Sequence, residues 1–513
     1  MSVDDGLVHR LRGVLSATGP ATLELRSPVT GEQVAVLPTS TPAAQAAAAA
    51  RARAAQVGWA AEPVRRRAAL LLDLHDAILD SRDELADLLQ AEGGKARLSA
   101  VEEVVHAALS ARYYGRTAER YLRSRRGEGL VPFLVRIDTH LVPKGLVGVV
   151  APWNYPLTLA LSDGLAALVA GNAVLLKPDA QTPLVALRGV ELLREVGMPA
   201  DLWAVVVGDG AEVGGAVVDA CDFVCFTGST RTGRTVAARC AENLIGCSLE
   251  LGGKNPLLVL ADADVPAAAR GAVRAGFANA GQLCVSAERI YVAEPVRAAF
   301  TEAFVAGTSA LRLGYGPDFR YDVGGLVNAA QLAKVSAHVE DARDKGATVL
   351  TGGRARPDLG PLVYEPTVLT GVTPEMDCYA AETFGPVVSV YPVADDDEAV
   401  ARANDSEYGL NGSVWSADAA HGRAVAARLR CGTVNVNDGF SASFGSLDAP
   451  MGGMKASGLG RRQGQDGIRR FVEVQSVATQ TGPPLTPLPG MNPQVFTSLM
   501  TTALRLVRRT RRP

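Results

Sequence analysis

The sequence predicts an α/β protein built on two doubly wound α/β domains, and three observations predict it. First, short apolar runs at 146–150, 173–176, 203–207 and 223–226 alternate with helical stretches at 157–169, 184–196, 211–219 and 232–242. Apolar runs separated by amphipathic helices are the pattern of parallel strands covered on both faces. Second, another alternation follows, with strands expected at 257–260, 290–292, 387–391, 413–415 and 433–437. Third, the two alternations join near Gly252 and Gly253, so a cleft between them is the expected ligand site. In doubly wound sheets that site lies beyond the carboxyl ends of the strands.

The flanking elements follow from local pattern. An Ala-rich run over 42–61 and continued periodicity over 63–121 predict helices. Arg51, Arg53 and Arg65 to Arg67 are expected on their solvated face. Residues 133–143, FLVRIDTHLVP, alternate and are β-branched, which predicts a strand or hairpin. Five prolines between 482 and 493 predict an extended linker. The last 20 residues carry no acid. Phe496, Leu499, Met500, Ala503, Leu504 and Val507 share a helical face, and Arg505, Arg508, Arg509, Arg511 and Arg512 cluster at its end. That pattern suits a helix packed on a neighbouring subunit or lying solvated, with a peripheral helix on an anionic membrane surface as the alternative.

Composition narrows the function classes. The chain has 513 residues, 48% apolar and 20% charged, enough to bury a large core spread over several domains. Lys plus Arg is 51 against 54 Asp plus Glu, so no global field marks it for nucleic acid. Seven cysteines in such a length are not a disulfide scaffold. No apolar run approaches the ~20 residues of a membrane span, and the N-terminus has no apolar leader, so a cytoplasmic protein is expected. The six His are scattered, and the Cys221–Cys225 spacing lacks a second half; no metal site is expected.

Three segments carry candidate chemistry. ANAGQLCVSA at 278–287 offers Cys284 after a helical pattern and glycines. LELGGKN at 249–255 places Glu250 in a short apolar strand, where a carboxylate is costly without a task or partner. APWNYP at 151–156 puts Asn154 at the carboxyl end of the first strand, where its amide can donate to an oxyanion. A thiol that attacks and a carboxylate that activates water make a covalent-catalysis pair.

Together with KP at 177–178, FTGSTRTG at 226–233, ETFGP at 382–386 and SGLGR at 457–461, these blocks stand in the order and spacing of the aldehyde dehydrogenase superfamily, which the chain resembles over about residues 27–480. The resemblance is greatest to succinate-semialdehyde dehydrogenases of the NADP type. It implies an aldehyde dehydrogenase-like fold, with a dinucleotide-binding domain at 1–130 and 144–252 and a catalytic domain at 253–445. It further implies an oligomerisation or bridging element at 131–143 and 446–482, a linker and basic tail at 483–513, and a homodimer or homotetramer. It makes Cys284 the nucleophile, Asn154 and the Cys284 N–H the oxyanion hole, and Glu250 the base for thioester hydrolysis. Trp153, Lys177, Gly228, Ser229, Gly233, Glu382 and Phe384 are implied in binding the dinucleotide. Ala180 stands where a Glu would reject a 2′-phosphate, so NADP is expected to be preferred and NAD accepted.

The expected reaction is oxidation of an aldehyde, with succinate semialdehyde first and a less polar medium-chain or aromatic aldehyde as the alternative. A non-catalytic binding role is the more distant one. Departures from the family pattern bear on the substrate. Ser162 and Ala278 occupy positions where arginines would hold a distal carboxylate. Arg289, Ser286, Ser441 and Ser443 are the replacement donors the sequence offers. Ser286 also rules out a disulfide with an adjacent second cysteine, and Gln465 replaces a glutamate of the proton relay.

Overall fold

The computed structural model describes residues 3–16, 18–127, 129, 134–482 and 486–508. They fall into two units, one of residues 1–121 and 143–471, the other of 122–142 and 472–513.

Both large sheets lie in the first unit. The first has six strands in the order Gly458–Leu459, Gly246–Glu250, Phe223–Thr227, Leu146–Val150, Ala173–Lys177 and Trp203–Val205. All pair in parallel except the Gly458–Leu459 edge, which runs antiparallel to Gly246–Glu250. Every residue of Ala173–Lys177 is buried, which is why this strand reads as an unbroken apolar run. Chain direction across the sheet reverses between Leu146–Val150 and Phe223–Thr227, the switch point where such sheets open a crevice.

The second sheet has seven strands in the order Thr348–Thr351, Thr367–Thr370, Val387–Val393, Ala287–Ala293, Asn255–Val259, Asn411–Trp415 and Thr433–Val436. Its five expected strands are all present. The pair Thr348–Thr351 and Thr367–Thr370 extends it at one edge and was not foreseen. Helix Val265–Phe277 packs on this sheet and Glu294–Ser309 packs on that helix, with Phe277, Phe300 and Phe304 stacked and fully buried in the core.

The N-terminal helical region resolves into Pro42–Ala61, Val64–Asp80, Arg82–Gly93 and Arg97–Tyr121. Arg67 is not on a solvated face. It is 4% exposed, and its guanidinium donates to the carbonyls of Trp59, Ala60, Glu62 and Val169, taking up acceptors that the end of helix Pro42–Ala61 leaves bare. Arg53 pairs with Asp222.

In the second unit a three-stranded sheet joins Val472–Gln480, Val135–Pro143 and Arg125–Gly127. Residues 131–133 of the expected hairpin lie outside the described residues. Residues 446–471, grouped by sequence with this element, belong to the first unit, where Gly458–Leu459 extends the first sheet. The tail forms the helix Pro493–Val507 with Val495, Leu499 and Leu504 half exposed or more. Pro483, Pro484, Arg509, Arg511 and Arg512 lie outside the described residues. Among the described residues no helix is long and apolar enough to cross a membrane.

Candidate active site

Segments from the carboxyl ends of the first sheet and the amino ends of the second meet at one cleft. Residues 152–154 follow strand Leu146–Val150, and 228–229 follow Phe223–Thr227. From the other side, 252–253 precede Asn255–Val259, Cys284 precedes Ala287–Ala293, and 382–384 precede Val387–Val393. Trp153, Asn154, Gly228, Ser229, Glu250, Cys284, Glu382 and Phe384 all line a cavity of about 250 Å³.

Cys284 is presented by a strained turn. Asn279, Ala280 and Gly281 all take left-handed φ values, 51°, 56° and 69°. Asn and Gly tolerate that region, whereas Ala280 does so at a cost met by its surroundings. Gly281 has no alternative, because a Cβ there would lie 2.1 Å from the Gly385 carbonyl oxygen. Gln282 locks the turn: its amide donates to Asn279 O and Gly325 O and accepts from Val327 N. Asn255 Nδ2 donates to the carbonyls of Cys284 and Ser286, both at 2.8 Å.

Asn154 is 4% exposed and donates through Nδ2 to Gln282 O at 3.3 Å, which ties its amide to the cysteine turn. Its own segment is held from behind. Glu103, fully buried, accepts from the N–H groups of Leu157 and Thr158 at the start of helix Pro156–Val169 and pairs with Lys95 at 2.5 Å. Lys95 in turn lies 3.9 Å over the Tyr155 ring.

Burial governs the titration of the reacting groups. Cys284 packs against a buried apolar cluster that includes Tyr155, Leu159 and Leu283. Loss of solvent there, and then the nearby Glu250 carboxylate, push its thiol up to about 12. Burial raises Glu250 to about 7, against the opposing pull of Arg462, and its Oε1 has no hydrogen-bond partner. A carboxyl group poised near neutrality beside a thiol is suited to move protons in both directions.

The rest of the cleft fits a dinucleotide. Ser229 caps helix Thr230–Glu242, accepting from Thr232 N, so the positive end of that helix faces the cavity. Glu382 accepts from Gly253 N at 2.8 Å, and a Cβ on Gly252 would meet its carboxylate at 2.7 Å. The loop bearing Glu382 is fixed by Glu288, which accepts from Thr383 N and Phe384 N and pairs with Lys254. Phe384, at φ 55°, meets Trp153 edge-on at 5.4 Å.

Two expected residues do not line this cleft. Lys177 ends strand Ala173–Lys177, 5% exposed, with Nζ donating to Pro178 O at 3.4 Å. Gly233 lies inside its helix, where a Cβ would strike Leu251 at 2.4 Å; its smallness serves helix–strand packing. The candidate distal donors are also occupied elsewhere. Arg289 donates to the carbonyls of Lys254 and Ala403, Ser286 to those of Ala275 and Gly276, and Ser443 to Phe440 O. None of these three, nor Ser441, lines the cavities around Cys284. Gln331, Lys334 and Arg462 line those cavities and were not singled out by sequence, since each is one ordinary polar residue on a helix or loop far along the chain. The Cys221 and Cys225 side chains are buried, as small strand-side residues should be.

Comparison with known proteins agrees with this geometry. The sequence pattern of the "Aldehyde dehydrogenase family" matches residues 15–477. A Mycolicibacterium smegmatis protein named "Putative succinate-semialdehyde dehydrogenase NADP(+)" is 52% identical over 94% of this chain and 93% of its own length. The "Glutarate-semialdehyde dehydrogenase" of Pseudomonas aeruginosa is 35% identical over 90% of this chain and 95% of its own. Among solved structures, an NADP-dependent enzyme of E. coli superposes with a TM-score of 0.87 at 32% identity, covering 91% of this chain and 96% of that one. Betaine aldehyde dehydrogenase of Staphylococcus aureus, solved with NAD+ and a BME-modified cysteine, gives 0.87 at 31% identity over 92% of this chain and 96% of that one. With its fold and most of its length matched, the chain belongs to the aldehyde dehydrogenase family.

Proposed function

We propose that this protein oxidises a short aldehyde bearing a distal carboxylate, succinate semialdehyde first among them, to the acid, with NADP preferred over NAD. The observation that carries the reading is that Asn154, Glu250 and Cys284, from three separate segments, line one cleft. The names of the mycobacterial relative and of the Pseudomonas relative, both ω-carboxy aldehyde dehydrogenases, support the substrate class.

In the proposed sequence the Cys284 thiol loses its proton to Glu250, and the sulfur adds to the aldehyde carbon. The oxyanion so formed accepts hydrogen bonds from Asn154 Nδ2 and the Cys284 N–H, worth about 3–4 kcal/mol for one such donor. A bound nicotinamide dinucleotide would supply the hydride acceptor. The chain is then acylated on Cys284. Glu250 releases the first proton to solvent and, ionised again, takes one from water as that oxygen bonds to the acyl carbon; the C–S bond then breaks, and the leaving thiolate regains its proton from Glu250. Ser229 and its helix N-terminus would hold the pyrophosphate, Glu382 the nicotinamide ribose, and Trp153 and Phe384 the ring's surroundings. Ala180 leaves the 2′-phosphate unopposed near Lys177, which supports NADP.

The seven cysteines are free thiols, which supports a reducing, cytoplasmic setting. Strand Val472–Gln480 is an edge strand exposed from Glu473 to Gln480, which supports a homo-oligomer built by strand addition. Peripheral membrane contact through helix Pro493–Val507 is the reading we attach to its exposed leucines; loss of liposome co-sedimentation on removing 483–513 tests it.

The test of the function is a kcat/KM panel of succinate semialdehyde, its uncharged isosteres and longer aldehydes, with NADP and NAD. The expected result is selectivity for the carboxylated substrate above tenfold, and no turnover by Cys284→Ser. Retained turnover in Cys284→Ser would refute the mechanism; equal rates across the panel would refute the substrate class and favour a less polar aldehyde.

A further inference from the structure

Two small cavities continue from Cys284 away from the dinucleotide cleft. The first, about 20 Å³, is lined by Asn154, Glu250 and Cys284. The second, about 10 Å³, is lined by His106, Ser162 and Gln463. Leu159, Phe444, Met451 and Arg462 border both.

Arg462 is 5% exposed. Its Nε and Nη2 donate to the two oxygens of Asp163 at 3.3 and 2.7 Å. Asp163 also accepts from Arg470 Nη2 at 2.5 Å. Two buried guanidiniums therefore share one carboxylate, and the other acid that acts on both is Glu250, which holds its proton up to about 7. Arg462 Nη1 has no hydrogen-bond partner among the described residues. While Glu250 holds its proton the two cations face a single carboxylate, and an arriving anion offsets the cost of the second. Arg462 is also the only Lys or Arg lining either cavity among the described residues.

The second cavity also carries unpaired acceptors. His106 Nε2 and Gln463 Nε2 both donate to Phe444 O, at 3.1 and 3.3 Å. That leaves His106 Nδ1 and Gln463 Oε1 buried without partners, both as acceptors. Ser162 Oγ already donates to Ser110 Oγ at 3.1 Å. The remaining donors lining it are Arg462 and the Tyr114 hydroxyl.

We propose that Arg462 receives the distal carboxylate of the substrate, taking the task of the arginines absent at Ser162 and Ala278, and that the small size of the cavity beyond it confines the substrate to short unbranched ω-carboxy aldehydes. This rests on Cys284 being the nucleophile. The narrow first cavity, bounded by Phe444 and the adaptable Met451, is too small for an aromatic ring.

The experiment is the ratio of kcat/KM for succinate semialdehyde to that for butanal, in the full-length enzyme with saturating dinucleotide. Arg462→Gln is expected to lower the ratio at least tenfold, chiefly through KM for the carboxylated substrate, and Arg462→Lys to restore part of it. Arg470 still pairs with Asp163 in both variants. Gln463→Glu, which adds an anion next door and leaves the Asp163 pairs intact, is expected to lower the ratio at least fivefold and decides the matter should Arg462→Gln fail to fold. An unchanged ratio, including a parallel fall for both aldehydes through Glu250, overturns the proposal. So does a wild-type ratio near one. Loss of butanal turnover in Cys284→Ser keeps the underlying mechanism in place whichever way the ratio falls, and its retention would sink that mechanism separately.

Discussion

Replacing Glu250 by glutamine should weaken catalysis and strengthen the fold at the same time. Burial raises this carboxyl from 4.5 to about 7. At about 1.4 kcal/mol per tenfold change in ionisation, carrying the charge at this position costs about 3 kcal/mol relative to water. The sign follows from proton binding. Between those two values the folded chain holds the proton and the unfolded chain has lost it. The stability supplied by the neutral acid is therefore full below 4.5 and is lost as pH rises through about 7. Glutamine never ionises, so Glu250→Gln should be more stable than the parent by about 3 kcal/mol near pH 8, narrowing to about 1 kcal/mol near pH 5. With an unfolding entropy of about 2.1 cal/mol/K per residue over 513 residues, 3 kcal/mol corresponds to a Tm rise of about 3 °C. Over the same range the parent kcat should rise along an acid limb that bends near pH 7. The variant should lose that limb together with about 10²–10⁴ of its rate. Thermal melts at both pH values and a kcat–pH profile test this. A variant that keeps the acid limb, or gains no stability near pH 8 relative to pH 5, refutes Glu250 as the buried, titrating base.

Three further outcomes are expected. Asn154→Ala should lower kcat about 10²–10³-fold with little change in KM, because the lost amide serves the oxyanion more than the bound aldehyde; steady-state kinetics measure it. Ala180→Glu should lower the NADP-to-NAD ratio of kcat/KM at least tenfold, since the new carboxylate opposes a 2′-phosphate; a panel of both dinucleotides measures it. Glu103→Ala should cost about 3–5 kcal/mol in urea unfolding, because Lys95 is left buried without its partner and the Leu157 and Thr158 N–H groups lose their acceptor; kcat should fall as well, through the displaced 152–155 segment.

Legibility in the sequence followed burial. Central parallel strands such as Ala173–Lys177 and Asn255–Val259 are buried throughout, so composition alone marked them. Thr348–Thr351 is a four-residue, threonine-flanked edge strand, partly exposed; Thr367–Thr370 beside it is buried but equally short and threonine-flanked, and both patterns compete poorly with that of a loop. The Cys284, Glu250 and Asn154 segments were legible because each carries a reactive group beside glycine, tryptophan or proline in an otherwise apolar setting. Lys177 and Gly233 show the converse. A motif marked their neighbourhood, while packing put one at the buried end of its strand and the other against Leu251, both outside the lining of the cleft.

By itself, then, the sequence determined the alternation of strand and helix, the reactive triad and the absence of the usual arginines, since these depend on residue type and local period. Only the tertiary structure decided where charge lies around the triad. Arg462 stands 299 residues from the aspartate that holds it, Asp163 is shared with Arg470, and the balance of charge beside Cys284 arises where those three groups meet Glu250. Electrostatics in a buried site depends on distance in space and on exclusion of water, and neither quantity is written in the order of the residues.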